Sequence, residues 1–177
     1  TDQNGQTFTS ETVRGEIVLY NFTYSGCEAP CAQTSQVMAE VQSRLPQVAA
    51  SVPLKLVTFS IDPTNDTPDQ LQAFAAEMGA DPAVWHIATG GAQQLKSVIG
   101  GGFSVYYKEA EEGGFKLDPA FFLVDGSGII RAEYRSARPD IDIIMRDFGF
   151  LAAEVEHSEG IYRFAYEAAH LFSCYPR

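Results

Sequence analysis

Cysteine is scarce in this chain, three in 177 residues, which is too few to staple a disulfide-built scaffold. Basic side chains are scarce as well. Twelve Lys and Arg stand against 23 Asp and Glu, and the formal net charge of −11 argues against nucleic acid or an anionic membrane surface as a partner. No apolar run approaches the roughly 18 to 20 residues of a membrane span, and no basic-then-apolar leader opens the chain. An abrupt start at Thr1 is compatible with a leader or anchor ahead of it. No glycine-rich phosphate fingerprint follows the first apolar run, and Gly100-Gly101-Gly102 lacks the Lys and Ser/Thr of a phosphate loop, so a nucleotide site is not expected. Internal repeats, low-complexity tracts and interdomain linkers are also absent. What remains is a chain that is 45% hydrophobic, enough for one domain with a real core. Its cysteines form a close pair with one left over, which reads as redox or metal chemistry.

The pattern of apolar residues and turn signals predicts a mixed α/β sandwich. Residues 3–10 read as a short hairpin around Asn4-Gly5, and residues 16–22 as a buried central strand. Val37, Met38, Val41 and Leu45 give Ala32 to Leu45 a helical stripe that ends near Pro46. Leu54 to Ile61 is a second buried strand. Thr67 is placed to cap a helix that starts at Pro68 and runs to about Met78. Val84 to Ile87 reads as a short strand, and Gln93 to Ile99 as a short helix stopped by Gly100-Gly101-Gly102. Phe121 to Val124, the turn Asp125-Gly126-Ser127-Gly128 and Ile129 to Tyr134 close the sheet as a hairpin. Beyond residue 140, Ile141 to Phe148 and Ile161 to Phe172 have helical spacing, joined by the acidic stretch 154–160. Residues 1–140 are therefore expected to form the main domain, and 141–177 a helical extension packed on it.

Chemistry concentrates in Gly26-Cys27-Glu28-Ala29-Pro30-Cys31, directly after the central strand. Two thiols four positions apart share a face when the second lies in a helix's first turn, so they can form a disulfide or grip one soft metal ion. Free backbone N–H groups and the helix dipole lower a thiol pKa at that place. Cys27, ahead of the helix, is expected to attack first in disulfide exchange, with the recessed Cys31 resolving the mixed disulfide. A static bridge or two buried small side chains is the structural alternative.

The run Tyr20-Asn21-Phe22-Thr23-Tyr24-Ser25-Gly26-Cys27-Glu28-Ala29-Pro30-Cys31 resembles the copper-site segment of the Sco/SenC family. Ser60-Ile61-Asp62-Pro63 through Asp66-Thr67-Pro68, Trp85-His86-Ile87-Ala88-Thr89-Gly90 and Phe122-Leu123-Val124-Asp125-Gly126 fit the same family. The resemblance covers residues 1 to about 140 and implies a thioredoxin-like fold: a central mixed β-sheet flanked by helices, with an N-terminal β-hairpin and extra C-terminal helices. It further implies a membrane-tethered protein of the periplasm or another extracytoplasmic compartment. Such proteins deliver copper to the dinuclear copper centre of cytochrome oxidase, reduce its cysteines, or do both. Cys27 and Cys31 match two copper ligands, and the third, a distal histidine, falls at Leu117.

Leucine cannot bind copper. Asp118 beside it is a hard carboxylate poorly matched to Cu(I), and His157 and His170 read as surface and helix-face residues. His86 is the remaining candidate, otherwise a packed strand-end side chain. The segment Leu117 to Asp125 also resembles the loop and strand of thioredoxin-family reductases in which a cis proline faces the cysteines, and Pro119 stands at that proline's position. Its bland alternative is a proline at the start of a strand. Asp62 and Asp66 read as turn and cap residues, with carboxylates pointed toward the site as the alternative; Lys55, Arg131 and Arg138 read as surface charges, and Phe22, Tyr24 and Trp85 as walls around the cysteines.

The leading expectation is a thiol-disulfide oxidoreductase that works on protein cysteines through Cys27, Cys31 and Pro119 with no cofactor of its own. Its partners are protein thiols or disulfides, among them a copper-centre protein, and a monomer is favoured. The alternative is a copper chaperone or sensor that holds Cu(I) on Cys27 and Cys31, with His86 or a partner's ligand. A redox-dependent assembly module is a third class, and peroxidase chemistry a minor fourth. Cys174 reads as a third redox thiol, a tether to another chain, or an inert residue.

Overall fold

In the computed structural model, which describes residues 1–28 and 32–157, the apolar run after Gly15 forms strand β1, Ile17–Thr23, with all seven residues buried. A strand sealed on both faces must be central, and β1 is. It pairs in parallel with β2, Leu54–Ser60, which pairs in parallel with β3, Trp85–Ala88. On its other side β1 pairs antiparallel with β6, Phe121–Val124, and β6 antiparallel with β7, Ile130–Tyr134. The five-stranded order is β3-β2-β1-β6-β7.

Side chains alternate across this sheet and build two cores. Ile17 and Leu19 face helices α1 (Ala32–Arg44), α2 (Pro68–Met78) and α4 (Ile141–His157), through Met38 and Val41, Leu71 and Phe74, and Ile144 and Phe148. Val18, Tyr20 and Phe22 face the other way, onto Val13, Leu95 and Ile99. The helix boundaries have local causes. The Thr67 side chain accepts the Gln70 N–H, Pro68 occupies the first turn, and Gly79 ends α2 in the left-handed region at φ 65°. This layered, mixed sheet is a thioredoxin-like α/β fold.

Four details differ from the pattern read off the chain. The Asn4-Gly5 turn forms, with the Asp2 N–H donating to Gln6 O at 2.8 Å, but the segment is not a hairpin of its own: Asp2 bridges Ala88 of β3. The Gln3 side chain bonds the Trp85 carbonyl and the Ile87 N–H at 2.9 and 2.8 Å, so contacts with β3 win over local pairing. Helix α3, Ala92–Leu95, continues as a wide π-type turn through Lys96–Gly102 instead of stopping at Ile99, and the Phe103 N–H reaches back five residues to Val98 O. A ribbon of β4, Tyr107–Glu109, and β5, Phe115–Leu117, fills a stretch with no expected element. Finally, α4 runs past Phe148 to His157, because Leu151, Ala152 and Val155 continue its apolar stripe onto the core. The second C-terminal helix, expected over Ile161 to Phe172, lies outside the described residues.

Candidate dithiol site

Where β1 ends beside Ser60 of β2, the chain turns out of the sheet and is gripped from both sides. On one side stands Asp66, a fully buried carboxylate. It accepts from the Ser25 N–H at 3.0 Å and from the hydroxyls of Ser25 and Ser60. Three donors satisfy a buried acid that would otherwise be costly, and they tie the approach to Cys27 to the end of β2. Asp62 shapes the turn itself, accepting from the N–H groups of Thr64 and Asn65 and from the Asn65 amide. The turn reading of Asp62 holds, while Asp66 does more: it positions the cysteine loop.

On the other side stands the ribbon. The Phe115 N–H donates to the Tyr24 hydroxyl at 3.2 Å, and the two rings meet edge-on with centroids 5.3 Å apart. Gly114 makes this approach possible, since a Cβ there would lie 2.8 Å from the Tyr24 hydroxyl oxygen, on a backbone with φ +74°. Tyr24 in turn accepts the Cys27 N–H on its carbonyl at 3.1 Å. A cleft of about 560 Å³ opens between the turn at Ile61–Asn65, Lys96 and the ribbon residues Tyr107 and Phe115.

Cys27 is half-buried and disulfide-bonded. A sulfur in a disulfide carries no hydrogen, so its 3.2 Å approach to the Glu28 carbonyl oxygen is a polar contact and not a donated bond. Cys31 and Cys174 lie outside the described residues.

Beneath the loop, a string of fully buried side chains crosses the sheet. The Trp85 indole N–H donates to Thr58 Oγ1 at 2.8 Å, the Thr58 hydroxyl donates to Asn21 Oδ1 at 2.5 Å, and Asn21 Nδ2 donates to Thr34 Oγ1 at 3.3 Å. The first turn of α1 is thereby fixed to three strands. Trp85 was expected to wall the cysteines; it serves at the far end of this string, two strands from β1. Phe22 packs against Phe103 and Phe122 in the opposite core, so of the three expected walls only Tyr24 borders the loop.

A family model described as SCO1/SenC matches residues 1–164. The chain belongs to the SCO1/SenC family. It is 29% identical over 147 residues to the SCO1 protein homolog of Bacillus subtilis, covering 81% of this chain and 75% of that protein. A putative copper-binding protein of Stutzerimonas stutzeri is 34% identical over 73 residues, 41% of this chain and 35% of that one. Among solved structures, BsSco, described as a member of the Sco family of cytochrome c oxidase assembly proteins with a disulfide switch, superposes with a TM-score of 0.75. Its sequence identity is 25%, covering 86% of this chain and 90% of that one. Membership places the chain in copper- and cytochrome-oxidase-related redox biology.

Within the SCO1/SenC frame, Leu117 closes β5 opposite Tyr107, half-buried in the apolar cluster that includes Tyr24 and Phe115. Asp118 is exposed, its N–H spent on Tyr106 O. Pro119 lies half-buried in the connector to β6, and because Phe121 pairs with Asn21, continuing that register sets it level with Thr23 at the end of β1. The structure does not bring His86 to the loop. Through Val57 it is level with Tyr20, three residues short of Thr23, and it sits two strands away from β1, roughly 10 Å in each direction. Its ring packs on Phe8 at 5.3 Å and its Nδ1 is 3.8 Å from the Asp2 carboxylate. Burial, and then Lys55, hold its pKa below the usual histidine value against the pull of Asp2 and Glu16. His157 caps the end of α4, with Nδ1 2.6 Å from Ala153 O, and His170 lies outside the described residues. Among the described residues, no three His, Cys, Asp or Glu side chains form a metal-binding group. The Asp66 clamp and the ribbon are the features that reading the chain missed. The Thr23-Tyr24-Ser25 run before Cys27 carries hydroxyls that only long-range partners give meaning to.

Proposed function

We propose that this SCO1/SenC protein carries Cu(I) as cargo on the thiolates of Cys27 and Cys31, in the assembly of a copper-centre protein of cytochrome oxidase. The observation that carries the reading is the apolar ribbon: Leu117 stands where the family's resemblance calls for an imidazole, and His86 is held elsewhere. Two soft thiolates without a nitrogen ligand suit two-coordinate Cu(I) and disfavour Cu(II), which wants more and harder donors. The copper-binding description of the Stutzerimonas relative supports this reading. The working context is extracytoplasmic and membrane-anchored, as family membership suggests; no described helix is long and apolar enough to cross a bilayer. Anaerobic titration of the reduced chain against bicinchoninate tests it. Retention of about one Cu(I) per chain is expected, lost in Cys27→Ser and in Cys31→Ser. Failure of the wild type to retain copper, or unchanged retention in both variants, overturns it.

A second reading, thiol-disulfide exchange with protein cysteines, is favoured by the disulfide on Cys27 and by the disulfide switch described for BsSco. In its reductive direction the Cys27 thiolate attacks a partner disulfide, one partner thiolate leaves, and a mixed disulfide forms. Cys31 then attacks Cys27 Sγ and releases the second partner thiolate, so two electrons pass to the partner and the pair ends oxidised. Pro119, level with the end of β1, would offer backbone groups to the partner strand. Copper-free, reduced protein that reduces a peptide disulfide in a Cys27-dependent way supports this reading, and a protein that retains copper but reduces none dismisses it.

A further inference from the structure

The chain has four lysines, and three of them, Lys96, Lys108 and Lys116, stand around the cleft beside the cysteine loop. Lys96 and Lys108 line it, and Lys116 lies directly opposite Lys108 in the β4–β5 ribbon. All three are exposed. Among the described residues, Arg14, Arg44, Arg131, Arg135 and Arg146 are each held by a carboxylate, whereas no carboxylate lies within ion-pair distance of these lysines. On a chain of net charge −11, they form a local concentration of uncompensated positive charge. The arrangement has a cost. Like charges directly opposite each other destabilise a strand pair, and two strands of three residues are marginal to begin with. Lys108 and Lys116 therefore weaken the ribbon that Tyr24 and its apolar contacts hold in place, and an anionic partner would offset their repulsion.

The rest of the cleft suits a peptide. Ile61, Pro63, Tyr107 and Phe115 give it apolar walls over a volume of about 560 Å³. Asp62, on the turn side, already accepts from the N–H groups of Thr64 and Asn65 and from the Asn65 amide. The other nearby acids, Glu109, Glu111 and Glu112, lie at the turn of the ribbon, so an anionic segment is drawn toward Lys96 and Lys108 and away from that turn. The cleft also shares a wall with the cysteine loop. Phe115 donates its N–H to the Tyr24 hydroxyl, and the Tyr24 carbonyl accepts the Cys27 N–H. We propose that this cleft docks an acidic, extended segment of the partner protein, its carboxylates on Lys96 and Lys108 and an apolar side chain between them against Tyr107 and Phe115. Resting on the proposed function, in which Cys27 acts on a partner protein, this docking specifies that partner by charge: its copper or cysteine centre is flanked by a run of Asp or Glu.

Peptide binding tests this without copper or thiol chemistry, so its failure is separable from a failure of the proposed function. In fluorescence anisotropy with the oxidised full chain, fluorescein-labelled Asp-Glu-Phe-Glu-Asp should bind about tenfold tighter than Asn-Gln-Phe-Gln-Asn, and added salt should erase the preference. Lys96→Gln with Lys108→Gln should weaken the acidic peptide about tenfold, whereas the same pair changed to arginine should keep it. Arg14→Glu makes the same total change of charge at the opposite end of β1, and should leave binding unchanged. Equal affinity for the acidic and amide peptides overturns the proposal, as does equal weakening by the glutamine pair and by Arg14→Glu. Full displacement of the peptide by millimolar inorganic phosphate at matched ionic strength also overturns it, since the cleft would then be a site for small anions. Hydrogen exchange supplies the second measurement: bound acidic peptide should slow exchange over residues 61–65 and 107–117 of the wild type, and slowing confined to other segments places the peptide elsewhere and dismisses the cleft.

Discussion

Under the proposed copper-carrier function, Leu117 sets which copper oxidation state is held, because one side chain separates two thiolates from two thiolates plus an imidazole. Leu117→His restores the nitrogen on a ribbon already bonded to Tyr24 beside the loop. The reduced variant is expected to gain stoichiometric Cu(II) binding with visible thiolate-to-copper charge transfer, while wild type shows none. A variant without that absorption would mean the ribbon stands too far from the sulfurs. His86 makes a separate prediction, about stability. Its pKa is lowered in the folded chain, chiefly by burial, so the unfolded chain binds a proton that the folded chain resists. Stability is then full above the unfolded histidine value of about 6.5 and falls as pH drops through it toward the lower folded value. Denaturant midpoints measured between pH 7.5 and pH 5 should decline less in His86→Phe than in wild type. An equal decline would assign the acid sensitivity to other groups.

Among the elements, the ribbon is the one most dependent on its neighbours. Two strands of three residues are marginal alone, so β4 and β5 persist through Tyr24 and the apolar contacts of Tyr107, Phe115 and Leu117. Tyr24→Phe removes one hydrogen bond and should cost about 0.5–1.5 kcal/mol. Gly114→Ala should cost more, because it adds a clash with the Tyr24 hydroxyl to a left-handed backbone. Hydrogen exchange over residues 107–117 should accelerate in both, most in Gly114→Ala, and unchanged exchange would show that the ribbon is held otherwise. The same dependence explains why the ribbon could not be read from the chain. Tyr107-Lys108-Glu109 and Phe115-Lys116-Leu117 are too short to show a period, and Glu111-Glu112-Gly113-Gly114 reads only as a polar loop. α2 was legible for the opposite reason: its cap, its first-turn proline and its terminal glycine are all local signals. At the N-terminus the local signal misled, since Asn4-Gly5 does turn the chain but Gln3 finds its partners 82 and 84 residues away, on β3.

For the whole molecule, the buried strands and the place of Cys27 just beyond the central strand were legible, because continuous apolar runs and a cysteine shortly after the central strand need no distant partner to interpret. The Asp66 clamp and the Trp85-Thr58-Asn21-Thr34 string were not, since each joins residues far apart in sequence whose polarity alone looks like loop or surface. The place of α4 is a question of the same scale. A boundary near residue 140 would make α4 part of an extension, yet Ile144 and Phe148 are fully buried in the core that also holds Ile17, Leu19 and Phe121. A helix that supplies core side chains to the central strand cannot leave without opening that core, so unfolding should be one event. Phe148→Ala should destabilise the chain by about 3–5 kcal/mol, a large share of the roughly 5–15 kcal/mol that holds a domain folded. Trp85, the single tryptophan, is fully buried on the outer strand β3 in the same core cluster as Phe148, so its fluorescence reports the β3 end of that core. In urea, Trp85 fluorescence and far-ultraviolet circular dichroism should shift together to lower midpoints in Phe148→Ala. If the helical signal moved and the fluorescence midpoint stayed, α4 would unfold as a separate unit and the single-core account would fail.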